Sequence, residues 1–178
     1  KARLLLARIF AKPSNLLVDD VGALERPVVK ILDLGMALLH EPGQESGELT
    51  HAGEILGTLD YMAPEQAKDT SHVDTRADIF SLGCTLFKML TGRVPFSGRN
   101  PIEKVLARVK HEAPRVRTWR ADVPPNLERV LAKMLAREPS QRFQTPAQVA
   151  AALAGFAFGG SGELPPELEL AGLGAADP

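Results

Sequence analysis

The rhythm of apolar positions changes along the chain, and the change divides it. Two short apolar runs, Leu16–Val18 and Val28–Leu32, flank a polar, glycine-containing stretch, a pattern that predicts a β-hairpin. Residues 36–56 carry Gly, Glu, Ser and Thr with little periodicity and read as a long exposed loop. Loops of that length in a compact domain are usually functional or disordered. From Thr75 onward the rhythm is helical. Ile79, Phe80, Leu82, Gly83, Leu86, Phe87, Met89 and Leu90 cover most of a helix surface, which predicts a helix buried on nearly all sides. Gly92 stands where a C-cap glycine belongs. Asn100-Pro101 supplies an N-cap followed by proline at the first helical position, opening a helix to about His111. Asn126–Arg137 sets Leu127, Val130, Leu131, Met134 and Leu135 on one face. Thr145-Pro146-Ala147-Gln148 reads as a capping box and opens a last helix to about Ala154. After Gly159 the chain is rich in Gly, Pro, Glu and Ala without a period and reads as a disordered tail. The pattern alone gives a mainly α domain with one short hairpin and no internal repeats.

Composition narrows this further. The 178 residues suggest one domain, at most two. With 21 Lys+Arg against 22 Asp+Glu the net charge is −1, so the basic excess of a nucleic-acid binder is missing. The single cysteine, Cys84, excludes an internal disulfide framework and any multi-cysteine zinc site. No apolar run approaches the roughly 18 residues that span a bilayer, so no membrane segment is expected in this chain and a cytoplasmic location is. The first residue is Lys1 rather than Met, which suggests a fragment or a processed product. Lys1–Ala11 is apolar and basic, but it lacks a small-residue cleavage site and is read as a short helix or loop approach rather than a targeting peptide.

The chemistry lies in short motifs in a fixed order. Lys12-Pro13-Ser14-Asn15 precedes the first strand, and Asp33-Leu34-Gly35 follows the second. Gly57-Thr58 and then Ala63-Pro64-Glu65 close the long loop, Asp78–Gly83 opens the apolar helix, and Arg142 follows the 126–137 helix. Each is bland alone: Asp-Leu-Gly is usually a turn after a strand, Lys-Pro-Ser-Asn is usually a loop, and Asn15 could be a turn residue. Chance would not keep order and spacing together. In that order they resemble the C-terminal lobe of bacterial eukaryotic-type Ser/Thr protein kinases, over residues 8–154. Asp33-Leu34-Gly35 resembles D-F-G with Leu for Phe, Ala63-Pro64-Glu65 resembles A-P-E, and Lys12–Asn15 resembles the second half of H-R-D-x-K-x-x-N. The organisation implied is an atypical segment 1–11, a kinase C-lobe 12–156 and a tail 157–178.

The resemblance implies the roles. Phosphoryl transfer is mostly positioning plus charge stabilisation, and Mg²⁺ takes hard oxygen ligands. Asp33 would bridge metal and nucleotide phosphates, Asn15 would hold a second metal, Lys12 would face the transferring phosphoryl group, and Leu17 would lie beneath the adenine of ATP. Lys12 with Gly57-Thr58 points to Ser/Thr rather than Tyr as acceptor, and Thr58 joins Lys12 as a catalytic candidate. Glu65 and Arg142 would form a buried ion pair, and Asp78 would accept backbone N–H groups of the catalytic loop, a structural role. Ser46 and Thr50 are phosphosite candidates by position. The core aliphatics, Cys84, Trp119 and the four His are assigned to packing or surface, since none sits in a cluster.

The chain departs from the pattern upstream of Lys12. Arg8, Ile9 and Phe10 stand where His, Arg and Asp are expected, so the base position holds Phe10 and the Arg that docks a phosphorylated loop is replaced by Ile9. Asp19 and Asp20 come after the first strand and are expected to point elsewhere. Val21–Arg26 looks like an insertion, and no G-x-G-x-x-G, strand Lys or helix Glu precedes Lys12. Three expectations follow. The first is a Ser/Thr kinase transferring the γ-phosphate of ATP to protein, read here as a truncated form with weak or absent binding of ATP and Mg²⁺ and little turnover. Its residues 1–11 would be a sequence error or a frameshift junction, which the 5′ nucleotide sequence tests. The second is a pseudokinase-like module docking a protein partner, which a pull-down tests. The third is an inactive remnant, which would fail to express as a cooperative folder.

Overall fold

The computed structural model describes residues 16–19, 28–31, 59–68, 73–157 and 162–163. Two strands, β1 (Leu16–Asp19) and β2 (Val28–Ile31), pair antiparallel with Leu16 opposite Ile31 and Asp19 opposite Val28. The stretch that joins them lies outside the described residues, as do the loop read at 36–56 and the segment 1–11. Helices follow: α1 (Pro64–Lys68), α2 (Thr75–Thr91), α3 (Pro101–Lys110), α4 (Pro125–Met134) and α5 (Pro146–Ala154). Short 3₁₀ turns at Val116–Thr118 and Pro139–Gln141 join the later ones.

Local chemistry sets the helix ends. Asp74 caps α2, its Oδ1 accepting the Arg76 N–H at 2.9 Å, and the Arg76 side chain folds back onto the same carboxylate. Gly92 ends α2 at φ +72°, a left-handed position that favours glycine, and donates its N–H to Lys88 O. Asn100 caps α3 through Glu103 N at 2.8 Å, with Pro101 at the first turn. At α5 both halves of the Thr145/Gln148 capping box are made. The helix read to Arg137 stops earlier: Leu135 is the C-cap of α4, and the carbonyls of Ala136 and Arg137 turn aside to accept from Arg142.

α2 is the axis of the core. Ala77, Phe80, Cys84 and Phe87 join Phe96, Val116 and Leu131 on one side. Ile79 joins Val130, Met134, Phe143 and Val149 on the other. Gly83 lets α4 come close, since a Cβ there would stand 3.0 Å from Leu135 Cδ2. Burial on nearly all sides does not hold, however. Leu82 is 38% and Met89 62% exposed, because no described element covers that stripe. Within the stretch read as a tail, Gly162 and Glu163 are placed. Gly162 O accepts from Asn126 Nδ2 and its N–H donates to Gly155 O, both at 2.9 Å. No helix among the described residues is long and apolar enough to cross a membrane.

Candidate functional site

Of the residues singled out by sequence, Phe10, Lys12, Asn15, Asp33, Ser46, Thr50 and Thr58 lie outside the described residues. Leu17 falls in β1 opposite Lys30. Because Leu16 faces Ile31, the strand end that adjoins Asn15 and the one that leads to Asp33 are at the same end of the pair. Asp78 sits in the first turn of α2.

Glu65 and Arg142, 77 positions apart, are in direct contact. Arg142 Nη1 reaches Glu65 Oε1 at 2.7 Å and Nη2 reaches Oε2 at 2.8 Å, a two-pronged pair. The guanidinium has five N–H donors. The other three go to backbone carbonyls, with Nε on Ala136 at 2.7 Å and Nη1 on Arg76 and Nη2 on Arg137, both at 2.9 Å. Its cationic face lies 4.8 Å from the centroid of Phe80, within cation–π range. One fully buried side chain thus ties α1, the start of α2 and the turn after α4 together.

A second buried arginine was not legible from the motifs. Arg108 in α3 is fully buried, with Nε donating to Lys104 O at 3.0 Å. Its Nη1 donates to Leu59 O and, at 2.7 Å, to Met62 O, and among the described residues its Nη2 has no hydrogen-bond partner. Burial pushes its pKa down, while Cys84 and Asp60 act the other way. Beside it Lys104 pairs with Asp60 at 2.7 Å, and Ser81 Oγ donates to Tyr61 O at 2.7 Å. Burial, with help from Asp60 and Cys84, drives the Tyr61 phenol up to about 12. Burial also drives the Cys84 thiol up to about 12, against the opposing pull of Arg108 and Arg142. A thiol so held is inert packing. The sequence signal for Arg108 is inverted: apolar Ile102 and Leu106 of α3 are 71% and 42% exposed while the arginine faces in.

Residues 11–152 match the family model of the protein kinase domain. The chain belongs to the protein kinase family. The match begins at residue 11, next to Lys12, where the motif order also begins. The relatives it matches include bacterial Ser/Thr kinases. Ser/Thr-protein kinase PrkC of Bacillus subtilis is 34% identical over 134 residues, 75% of this chain and 19% of that protein. Ser/Thr-protein kinase PknB of Mycolicibacterium smegmatis is 36% identical over 143 residues, 80% of this chain and 21% of that protein. A probable Ser/Thr-protein kinase of Clostridium perfringens is 33% identical over 138 residues, 78% of this chain. The chain spans about a fifth of the length of these curated relatives. The mainly α architecture fits a kinase C-lobe, and the Glu65–Arg142 pair fits the buried tie that the resemblance implies.

Proposed function

We propose that this chain is the C-lobe of a Ser/Thr protein kinase, the part that would carry metal ligands, the phosphoacceptor segment and its anchor. The reaction is transfer of the γ-phosphate of ATP to a protein hydroxyl. The observation that carries the reading is the order of Lys12, Asn15, Asp33, Thr58, Glu65, Asp78 and Arg142, together with the Glu65–Arg142 pair that closes it. Asn15 and Asp33 offer the amide and carboxylate oxygens that suit Mg²⁺. Bound Mg-ATP would supply the phosphoryl group and the neutralising charge, with Lys12 placing a cation on the oxygens that develop charge. Leu17 would offer the adenine an apolar surface.

Phe10 at the base position can neither orient a substrate hydroxyl nor take its proton. Loss of a general base costs about 10²–10⁴-fold. Transfer by the chain as written is therefore expected to be slow, and its affinity for nucleotide weak. Transfer of radiolabelled phosphate from Mg-ATP to a generic basic protein tests this, and turnover comparable with ordinary kinases would refute it. A thermal-shift titration with Mg-ATP tests the affinity, and strong stabilisation would contradict it. The Glu65–Arg142 tie, made in full in a chain whose base position holds Phe10, favours a second reading, a pseudokinase-like module that docks a protein. A pull-down that recovers no stable partner counts against that second reading.

A further inference from the structure

The segment that leads into α1 is held residue by residue. The carbonyls of Leu59 and Met62 accept from Arg108, the Asp60 carboxylate pairs with Lys104, and the Tyr61 carbonyl accepts from Ser81. The Ala63 N–H donates to Gln66 Oε1 at 2.8 Å. A turn of this kind ordinarily leaves its carbonyls to water. Here three of them are taken by side chains of α2 and α3, and the residue that takes two is a fully buried cation. Desolvating a guanidinium without a carboxylate in hydrogen-bond contact is costly, and an aliphatic side chain would fill the space at lower cost. What the arginine adds is geometry, since its planar fork spans two carbonyls three residues apart at one nitrogen.

We propose that Arg108 is a positioning residue that fixes the path of Leu59–Ala63 ahead of the Glu65 anchor, and through it the docking of the polypeptide substrate. The part concerning substrate rests on the kinase reading; the part concerning the path of the segment does not.

Tyr61 is the single tyrosine of the chain and lies in the middle of the held segment, so its ionisation reports on the segment without a label. Near pH 10.5 a tyrosine with the ordinary value of 10.0 is about three-quarters ionised, whereas one near 12 is only a few per cent ionised. Near-ultraviolet absorbance of Arg108→Gln is expected to show several-fold more tyrosinate than the unaltered chain, with helical circular dichroism retained at the same pH. Arg108→Lys, which can reach one carbonyl, should restore part of the difference. In the phosphotransfer assay Arg108→Gln should raise KM for the protein substrate by about tenfold and leave KM for ATP unchanged, which separates positioning from general damage.

Equal tyrosinate in Arg108→Gln and the unaltered chain overturns the proposal. Should Arg108→Gln fail to fold, Arg108→Lys and Ser81→Ala decide. Full release of Tyr61 by Ser81→Ala, with no change in Arg108→Lys, assigns the fixing to Ser81 and overturns the proposal. A changed tyrosinate signal with an unchanged substrate KM rejects the substrate half. Absence of transfer by the unaltered chain accords with Phe10 at the base position and removes the substrate half, whereas the absorbance, which needs no turnover, still decides how the segment is held.

Discussion

Removing the charge at Glu65 should cost more than any surface substitution in this chain. In Glu65→Gln the Arg142 guanidinium keeps its three carbonyl bonds and loses its counter-charge while remaining fully buried. Breaking a buried pair by removing one partner costs about 3–5 kcal/mol. The Glu65 side chain is 21% exposed, so water relieves part of the loss and the lower end, about 3 kcal/mol, is expected. Arg142→Met strands more. It leaves the Glu65 carboxylate and the carbonyls of Arg76, Ala136 and Arg137 without their donor, each a loss of about 1–3 kcal/mol where water does not reach. About 5 kcal/mol is expected there, against a total of about 5–15 kcal/mol for a typical domain.

Urea unfolding followed by helical circular dichroism measures both, with the midpoint moving and the slope unchanged. In a thermal melt, 3 kcal/mol in a body of roughly 100 residues corresponds to about 12–24 °C. The double variant Glu65→Gln/Arg142→Met should lose less than the sum of the singles, with a coupling of about 2 kcal/mol. Because the pair is buried, raising salt should change the cost little. A Glu65→Gln midpoint within about 0.5 kcal/mol of the unaltered chain, or strictly additive singles, would show that the pair does not tie α1 to the body.

Three further outcomes are expected. The Arg76 side chain holds the Asp74 carboxyl below its ordinary value of 3.8, with burial opposing. A depressed folded pKa means that this stability is present above the unfolded value and is lost as pH falls through the folded one. Asp74→Asn should therefore flatten the loss of stability below about pH 4, and Asp74→Ala should cost about 1 kcal/mol at neutral pH as a lost cap; identical acid limbs in urea midpoints would count against the assignment. Cys84, fully buried with its thiol raised to about 12, should resist thiol reagents at neutral pH until the domain unfolds, and labelling without unfolding would contradict this. A Cβ at Gly155 would overlap Glu163 O, so Gly155→Ala should displace residues 162–163 and speed cleavage after Glu163 by a Glu-specific protease, and an unchanged rate would contradict that contact.

The helical body was legible because its signals are local. Asp74 aside, the caps stand in the sequence as Gly92, Asn100-Pro101 and Thr145 to Gln148, and each fixes a backbone conformation whatever surrounds it. Two features escaped because they depend on distant partners. The α4 pattern runs to Arg137, yet the helix ends at Met134: the Ala136 N–H turns back on Lys133 O, and the carbonyls of Ala136 and Arg137 go to Arg142. The covering of α2 was overstated because apolar residues all round a helix do not say what reaches each face, and Leu82 and Met89 are left exposed.

The two buried arginines mark where motif reading ends. Arg142 was assigned a partner because the resemblance supplies one, with Glu65 standing in Ala63-Pro64-Glu65. Arg108 belongs to no motif, and helical periodicity argues for the opposite orientation of α3, with Ile102 and Leu106 inward. The helix turns the other way because the segment it covers is backbone, not side chain. Carbonyls of Leu59 and Met62 need donors, and neither isoleucine nor leucine has any to give. Amphipathic patterning presumes that the buried face meets an apolar surface. Where the buried face meets an irregular segment, the inward residue is the one with the donors. On that logic the polar residue of α3 least suited to a core is the one that sets the neighbouring segment, and replacing it by a better core residue should loosen Leu59–Ala63 while leaving the helix in place.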